Sequence, residues 1–333
     1  VTAVDMHVRR ATVADAPAMC RLIWAAFGAR PPLDPPAPAL AETPDSVGAE
    51  INARGGLVAR EPGGPVIGCL LFGSGPGLRL TRVCTDPAVR HHGVAGVLVE
   101  QAEWLAARRG TELVSLVARR ELTENVTFWQ GLGYRPVPPE LFAEHDRLPH
   151  NLHLAKAAPV WREIDGPEAM RELGTRLAGI LRAGDLVVLT GELGAGKTTL
   201  TQGIGAGLGV RGRVTSPTFV IARQHPGAVP LVHVDGYRLS GPDELADLDL
   251  ETPAADAVTV VEWGRGLAEG LAPERLEISL DTPAPDDPRW ARAARSGTSA
   301  DDAEDTGAEP RTVTVRAVGG GWALRGLRAL RKP

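Results

Sequence analysis

The sequence predicts two α/β domains joined end to end, and three observations carry that reading. The chain runs to 333 residues, more than one typical domain. Short apolar strands alternate with helical periodicity through both halves, on short connections. In the second half an apolar strand, LVVLTG, leads straight into a glycine-rich turn and a helix, the order expected of a nucleotide-binding α/β sheet.

The first half reads as strand, helix, hairpin, strand, helix, strand, helix. MHVRRAT is a short strand, Asp15 opens a helix through AMCRLIWAAF, and the proline-rich PPLDPPAPAL is a loop. GGLVAREPGGPVIGCLLFG reads as two strands around a Pro-Gly-Gly turn, and LRLTRVCTD as another strand ending at Pro87. Val94, Val97, Leu98, Ala102 and Leu105 recur at helical spacing before Gly110, LVSLVA is the next strand, and NVTFWQGLGY a helix. After NLHLAKA the chain restarts with VWREI, so the domains are expected at 1–157 and 158–333.

The second half opens with the helix MRELGTRLAGILRAG, which Gly184 is expected to stop. LVVLTG, the turn GELGAGKTT and the helix TLTQGIGAGLG follow, then strands at FVIAR, PLVHVD, AVTVVEW, LEISL and TVTVRAV. Residues 281–310 break that rhythm. Rich in acid and proline and poor in large apolar groups, they bury too little to offset their ordering entropy and read as a disordered insertion between two strands.

Composition narrows the function classes. Hydrophobic residues at 43% and charged residues at 23% match ordinary globular proteins. No apolar run is long enough for a membrane helix and the first residues lack a signal-peptide core, so no membrane partner and a cytoplasmic location are expected. Cys20, Cys69 and Cys84 are too scattered for a disulfide framework or a zinc site. His91 and His92 are adjacent in a turn and point apart, and His150 with His153 offers no better metal set. A net charge of −5 gives no general attraction for nucleic acid.

Lysine is almost absent: Lys156, Lys197 and Lys332 stand against thirty-three arginines. Lys197 lies in GELGAGKTT, where Gly191, Gly196, Lys197 and Thr198 satisfy G-x-x-x-x-G-K-[ST]. The backbone of Gly191, Leu193, Gly194, Ala195, Gly196, Lys197, Thr198 and Thr199 is expected to cradle the phosphates of ATP. Lys197 would neutralise the terminal phosphates and Thr198 ligate Mg²⁺. A compact ammonium fits there; arginine's broad fork does not. Asp235 and Glu262, at the ends of LVHVD and VTVVE, bring two carboxylates to the same sheet edge and are expected to hold Mg²⁺ and water. Asp235 could also be a turn cap, Trp263 a core aromatic and His233 a buried, satisfied imidazole.

GELGAGKTT, followed by VTSPTF at 214–219, HVDGYRL at 233–239 and VEWGR at 261–265, resembles the TsaE family, the bacterial ATPase subunit of tRNA threonylcarbamoyladenosine biosynthesis. The likeness covers about 160–280 and the final strand region. It implies a P-loop NTPase-like fold, places Thr218 in a switch-like loop near the γ phosphate, and puts Glu262 and Trp263 beside the nucleotide. It also implies partners, the carbamoyl-transferring subunit and its paralogue, with tRNA reached only indirectly. A small-molecule kinase using the same loop is the rival reading.

VCTDPAVRHHGVAG carries R-x-x-G-x-A at Arg90, Gly93 and Ala95 between a strand and a helix, an anion cradle suited to a pyrophosphate. With Asn125 to Tyr134 it resembles the GCN5-related N-acetyltransferase (GNAT) family over about 5–157. That likeness implies an acetyl-CoA site lined by Val83, Arg90, His91, His92, Gly93, Val94, Ala95 and Asn125. Where many members carry a tyrosine that protonates the leaving thiolate, this chain has Trp129. A domain that binds CoA for sensing or docking is therefore the alternative to an acetyltransferase.

Overall fold

The computed structural model describes residues 6–217, 220–246, 248, 255–281, 311–319 and 321–331, with the side chains of 323 and 324 aside. Thr218 and residues 282–310, which hold nearly all of the expected insertion, lie outside the described residues. The chain divides into two compact units, Val1–Ala158 and Pro159–Pro333.

Strands β1 (His7–Arg10), β2 (Gly56–Arg60), β3 (Val66–Gly73), β4 (Leu78–Thr85), β5 (Leu113–Arg119), β6 (Arg135–Pro136) and β7 (Asn151–Ala157) form the first sheet, in the order β1-β2-β3-β4-β5-β7-β6. Strand alternation sends Leu57, Ala59 and Leu70 to one face, where helix α3 (Val94–Arg108) supplies Val94, Leu98 and Ala102. Val58, Cys69 and Leu71 go to the other face, against Met19 and Ile23 of α1 (Ala16–Gly28) and Val47 and Ile51 of α2 (Pro44–Ala53). Each Val, Leu, Ile or Met among them stabilises the fold by roughly 1.5–3 kcal/mol on burial. β4 and β5 are parallel but pair only from Leu78 to Leu80 against Val114 to Leu116. Beyond that point β4 makes no further pairs with β5, and helix α4 (Thr123–Gly131) follows β5.

The second sheet contains β8 (Val160–Ile164), β9 (Leu186–Gly191), β10 (Ala222–His225), β11 (Leu231–Asp235), β12 (Val258–Glu262), β13 (Arg275–Asp281) and β14 (Arg311–Val318), ordered β10-β11-β12-β9-β13-β14-β8. The four central strands β11, β12, β9 and β13 are parallel, and the outer pairings are antiparallel. Parallel strands buried on both faces read as near-continuous apolar runs, as LVVL does and VTVV does but for Thr259. Helix α5 (Gly166–Ala178) packs on α6 (Lys197–Gly207), which begins directly after the glycine-rich turn that follows β9.

Three elements differ from the sequence expectation. Helix α2, which follows the proline-rich loop, was not expected, although Thr43 accepts the Ser46 N–H and Pro44 occupies the first turn. Helix α5 ends at Ala178, so Gly184, at φ +88°, serves a later turn and does not stop the helix. The strand expected at FVIAR starts late: β10 begins only at Ala222, because Ile221 takes φ +64° and its N–H turns back to the Pro217 carbonyl.

Candidate functional site

The turn between β9 and α6 is shaped by its glycines. Gly196 takes φ +99° as the residue before α6, and a Cβ at Gly191 would run into the Leu280 carbonyl. The loop surface is open: Leu193 is 87% exposed and Gly194 is exposed, whereas Ala195 is packed inward. Thr198 and Thr199 are half-buried on the first turn of the helix. Lys197 is buried, and its Nζ donates to the carbonyls of Gly191 and Glu192, both at 2.8 Å. The Trp263 ring lies on the same ammonium, with its centroid 3.7 Å away. Burial lowers the Lys197 pKa, and the charges of Glu262 and Asp235 oppose that shift.

The two carboxylates converge on this loop. Asp235 and Glu262 are register partners at the ends of parallel β11 and β12. Glu262 accepts from the Thr198 hydroxyl at 3.1 Å through Oε2, and its Oε1 lies 2.7 Å from His233 Nε2. Asp235 accepts from Ser216 Oγ at 3.0 Å and from the Tyr237 N–H at 3.1 Å, so it caps the turn at Gly236–Arg238 while facing the loop's charge. Trp263 follows β12 at φ +59°, a backbone state rare for a bulky residue, with the Tyr237 ring 5.2 Å away. Lys197, Thr198, Asp235, Glu262 and Trp263 are thus brought together, and Thr218 lies outside the described residues.

Among the described residues no group of three His, Cys, Asp or Glu side chains could hold a metal. The oxygens on offer are one hydroxyl and two carboxylates. That sparse, all-oxygen set suits a hard cation that keeps water and takes its remaining ligands from phosphate.

In the first unit a cleft of about 670 Å³ opens where β4 and β5 cease to pair. Val83, Arg90, His91, Gly93, Val94, Ala95 and Asn125 line it, together with Cys84, Phe128 and Trp129. His92 is not among its lining residues. Gly93 takes φ +81° ahead of α3, and a Cβ there would meet nothing within 4 Å, so the turn's backbone stands open to the cleft. The Asn125 side chain is already engaged, since its Oδ1 accepts from Trp129 Nε1 at 2.9 Å. Tyr134 is fully buried beneath Trp129, away from the cleft lining, and burial pushes its phenol pKa well up. No tyrosine hydroxyl lines the cleft.

Arg30 was missed in the sequence because it follows α1, sixty residues before Arg90. It lines the same cleft, its guanidinium carbon 3.8 Å from the centroid of the Phe27 ring, and it makes no ion pair among the described residues. Burial lowers its pKa, and the nearby Arg90 cation acts in the same direction. For His233 the sequence suggests only a buried, satisfied imidazole, whereas its Nδ1 has no hydrogen-bond partner among the described residues. Only the fold puts its ring against Glu262, twenty-nine positions away.

Comparison with known proteins agrees with both halves. Residues 164–290 match the family model "Threonylcarbamoyl adenosine biosynthesis protein TsaE", and residues 16–134 match the acetyltransferase (GNAT) family. The tRNA threonylcarbamoyladenosine biosynthesis protein TsaE of Streptomyces coelicolor is 54% identical over 165 residues, spanning 48% of this chain and 99% of that protein. Its counterpart in Mycobacterium tuberculosis is 50% identical over 129 residues, 36% of this chain and 77% of that protein. The Bacillus subtilis protein is 41% identical over 122 residues, again 36% of this chain and 75% of its own length. The fold is accordingly mixed α/β throughout, a GNAT-like unit followed by a P-loop NTPase-like unit, and the chain belongs to the TsaE family through its second unit.

Proposed function

We propose that the second unit binds and hydrolyses ATP with Mg²⁺ in the service of tRNA threonylcarbamoyladenosine synthesis. The observation that carries this reading is the convergence of Lys197, Thr198 and Glu262 on one glycine-shaped loop at the carboxyl ends of parallel strands. Lys197 is held by two loop carbonyls that phosphate oxygens can replace, which turns its charge toward the ligand. Thr198, Asp235 and Glu262 are the residues that would hold Mg²⁺, and the ion would supply charge neutralisation at the phosphates. Asp235 and Glu262 orient water at the sheet edge, and Trp263 shields the lysine from solvent.

The expected partners are the carbamoyl-transferring subunit of this modification and its paralogue, with tRNA engaged through them. The net charge of −5 supports an indirect route to tRNA, since the chain as a whole does not attract polyanions. Titration calorimetry with ATP, followed by phosphate release with and without those two proteins, tests the reading. ATP binding by the full chain, with hydrolysis raised by the partners, is the expected outcome. A phosphorylated small molecule formed one-for-one with ADP, without partners, would establish the kinase reading in its place.

For the first unit we propose that the cleft holds acetyl-CoA, its pyrophosphate on the backbone of Arg90 to Ala95 and its charge met by Arg30 and Arg90. The indole of Trp129 at the tyrosine position favours a second reading, a CoA-binding module with slow acetyl transfer or none. A thiol-release assay with peptide amines separates the two.

A further inference from the structure

Strand β11 carries one residue that its packing alone does not account for. Val232 and Val234 join the apolar cluster on one face of the sheet, and Leu231, His233 and Asp235 alternate with them. His233 is 0% exposed. Its Nε2 lies 2.7 Å from Glu262 Oε1, but its Nδ1 is buried without a hydrogen-bond partner among the described residues. A buried polar atom left unpaired is destabilising, because it loses its water without gaining a partner. Stability by itself would favour an aliphatic side chain here, so the reason for the imidazole lies in its bond to Glu262.

A carboxylate only accepts, so in this contact Nε2 is the donor and Glu262 the acceptor. The His225 ring lies 6.3 Å from that of His233 and also keeps a buried nitrogen, Nε2, without a partner. His225 therefore gives the His233 ring a neighbour without competing for its donor.

Glu262 is thus gripped through both oxygens, by Thr198 Oγ1 at 3.1 Å and by His233 Nε2. Thr201 Oγ1 adds only a long contact at 3.5 Å and donates at 3.0 Å to the Lys197 carbonyl. The two grips differ in kind. Thr198 sits on the phosphate loop and is the hydroxyl that loop offers to a cation, so its hold on Glu262 competes with ligand. His233 is sealed in the sheet and has no other hydrogen-bond partner among the described residues.

We propose that His233 is the positioning residue for Glu262, the donor that keeps this carboxylate aimed at the phosphate loop when Thr198 turns to its ligand. The proposal rests on the ATPase reading above. It predicts that His233 affects turnover and leaves ATP affinity nearly unchanged, because Lys197 and the loop backbone bind the nucleotide without it. Removing a partner that orients such a ligand typically costs 10–100-fold in activity.

The test uses the full chain and three variants. His233→Gln can place an amide N–H near the Nε2 position, His233→Met fills similar volume without a donor, and His233→Asn reaches only to the Nδ1 position. ATP dissociation constants from calorimetry should stay within about threefold of the parent chain for all three, whereas kcat should fall at least tenfold in the Met and Asn variants and recover in the Gln variant. The Asn variant serves if the Met variant does not fold. Parent-like kcat in either loss variant, or a Gln variant as slow as the Asn variant at equal melting temperature, overturns the proposal. An unaltered chain that fails to bind ATP overturns the nucleotide reading beneath it, which calorimetry shows before any variant is made.

Discussion

The ammonium of Lys197 lies 3.7 Å from the centroid of the Trp263 ring while it donates to two carbonyls of its own loop. The aromatic face and the carbonyls make a narrow, partly dry seat for a small cation. In a chain with thirty-three arginines and three lysines, this seat explains why arginine does not occupy position 197.

Lys197→Ala should therefore weaken ATP binding by about 10- to 100-fold, the range expected for losing a charged donor to phosphate. Lys197→Arg should not restore it, because the wider guanidinium cannot sit between the ring and both carbonyls. Calorimetry on the two variants checks this, and parent-like affinity in the arginine variant would show that charge alone suffices.

Glu262→Gln and Asp235→Asn keep shape and remove charge. Glu262 accepts from Thr198 and pairs with His233, so its amide variant should lower hydrolysis by at least tenfold with little change in ATP affinity. Asp235 also caps the following turn through the Tyr237 N–H, a bond that an amide oxygen retains. Its variant should change the Mg²⁺ dependence of turnover more than the melting temperature. Phosphate release across a Mg²⁺ series measures both effects, and normal Mg-ATP turnover by either variant in the presence of partners would remove that residue from the site.

Much of the candidate loop's geometry was legible in the sequence, because each part of it is a local signal. An apolar run ending in Gly191, a lysine before a helix, and an acid at the end of each of two apolar strands need no knowledge of tertiary contacts. The contacts between distant elements were not legible. His233 and Glu262 meet only because β11 and β12 are parallel neighbours, and Arg30 meets Arg90 only through the packing of α1 on the sheet. Helix α2 escaped because it has only two large buried apolar residues, Val47 and Ile51, and stands among prolines. The misplaced β10 shows the opposite failure, an apolar run that turns back on itself at Ile221.

Strands β13 and β14 are antiparallel neighbours with Asp281 opposite Thr312. The chain leaves and re-enters the sheet side by side, so a tight turn can join the strands. Replacing residues 284–308 with a short Gly-Ser turn should preserve ATP binding and leave the melting temperature within a few degrees. A large drop in melting temperature would show that these residues contribute to the packed core.

The cleft of the first unit invites a test in which folding and binding separate. A Cβ at Gly93 meets nothing within 4 Å, so Gly93→Asp has room to fold and bears only the left-handed backbone cost of about 1–2 kcal/mol. Its carboxylate would stand where backbone and pyrophosphate must approach, so CoA binding by the full chain should be abolished. Arg30→Gln removes a half-buried cation that makes no ion pair among the described residues, and CoA affinity should fall about tenfold. Trp129→Tyr tests turnover. It breaks the indole bond to Asn125 and thins a packed site at 4% exposure, so stability should fall by about 1–2 kcal/mol. The same change puts a phenol in the cleft lining, so thiol release with a peptide amine should stay level or rise. Calorimetry with CoA and the thiol assay together decide the matter: no CoA binding by the folded, unaltered chain at millimolar ligand would leave a docking module, and a fall in thiol release in the tyrosine variant would show that the indole itself serves the reaction.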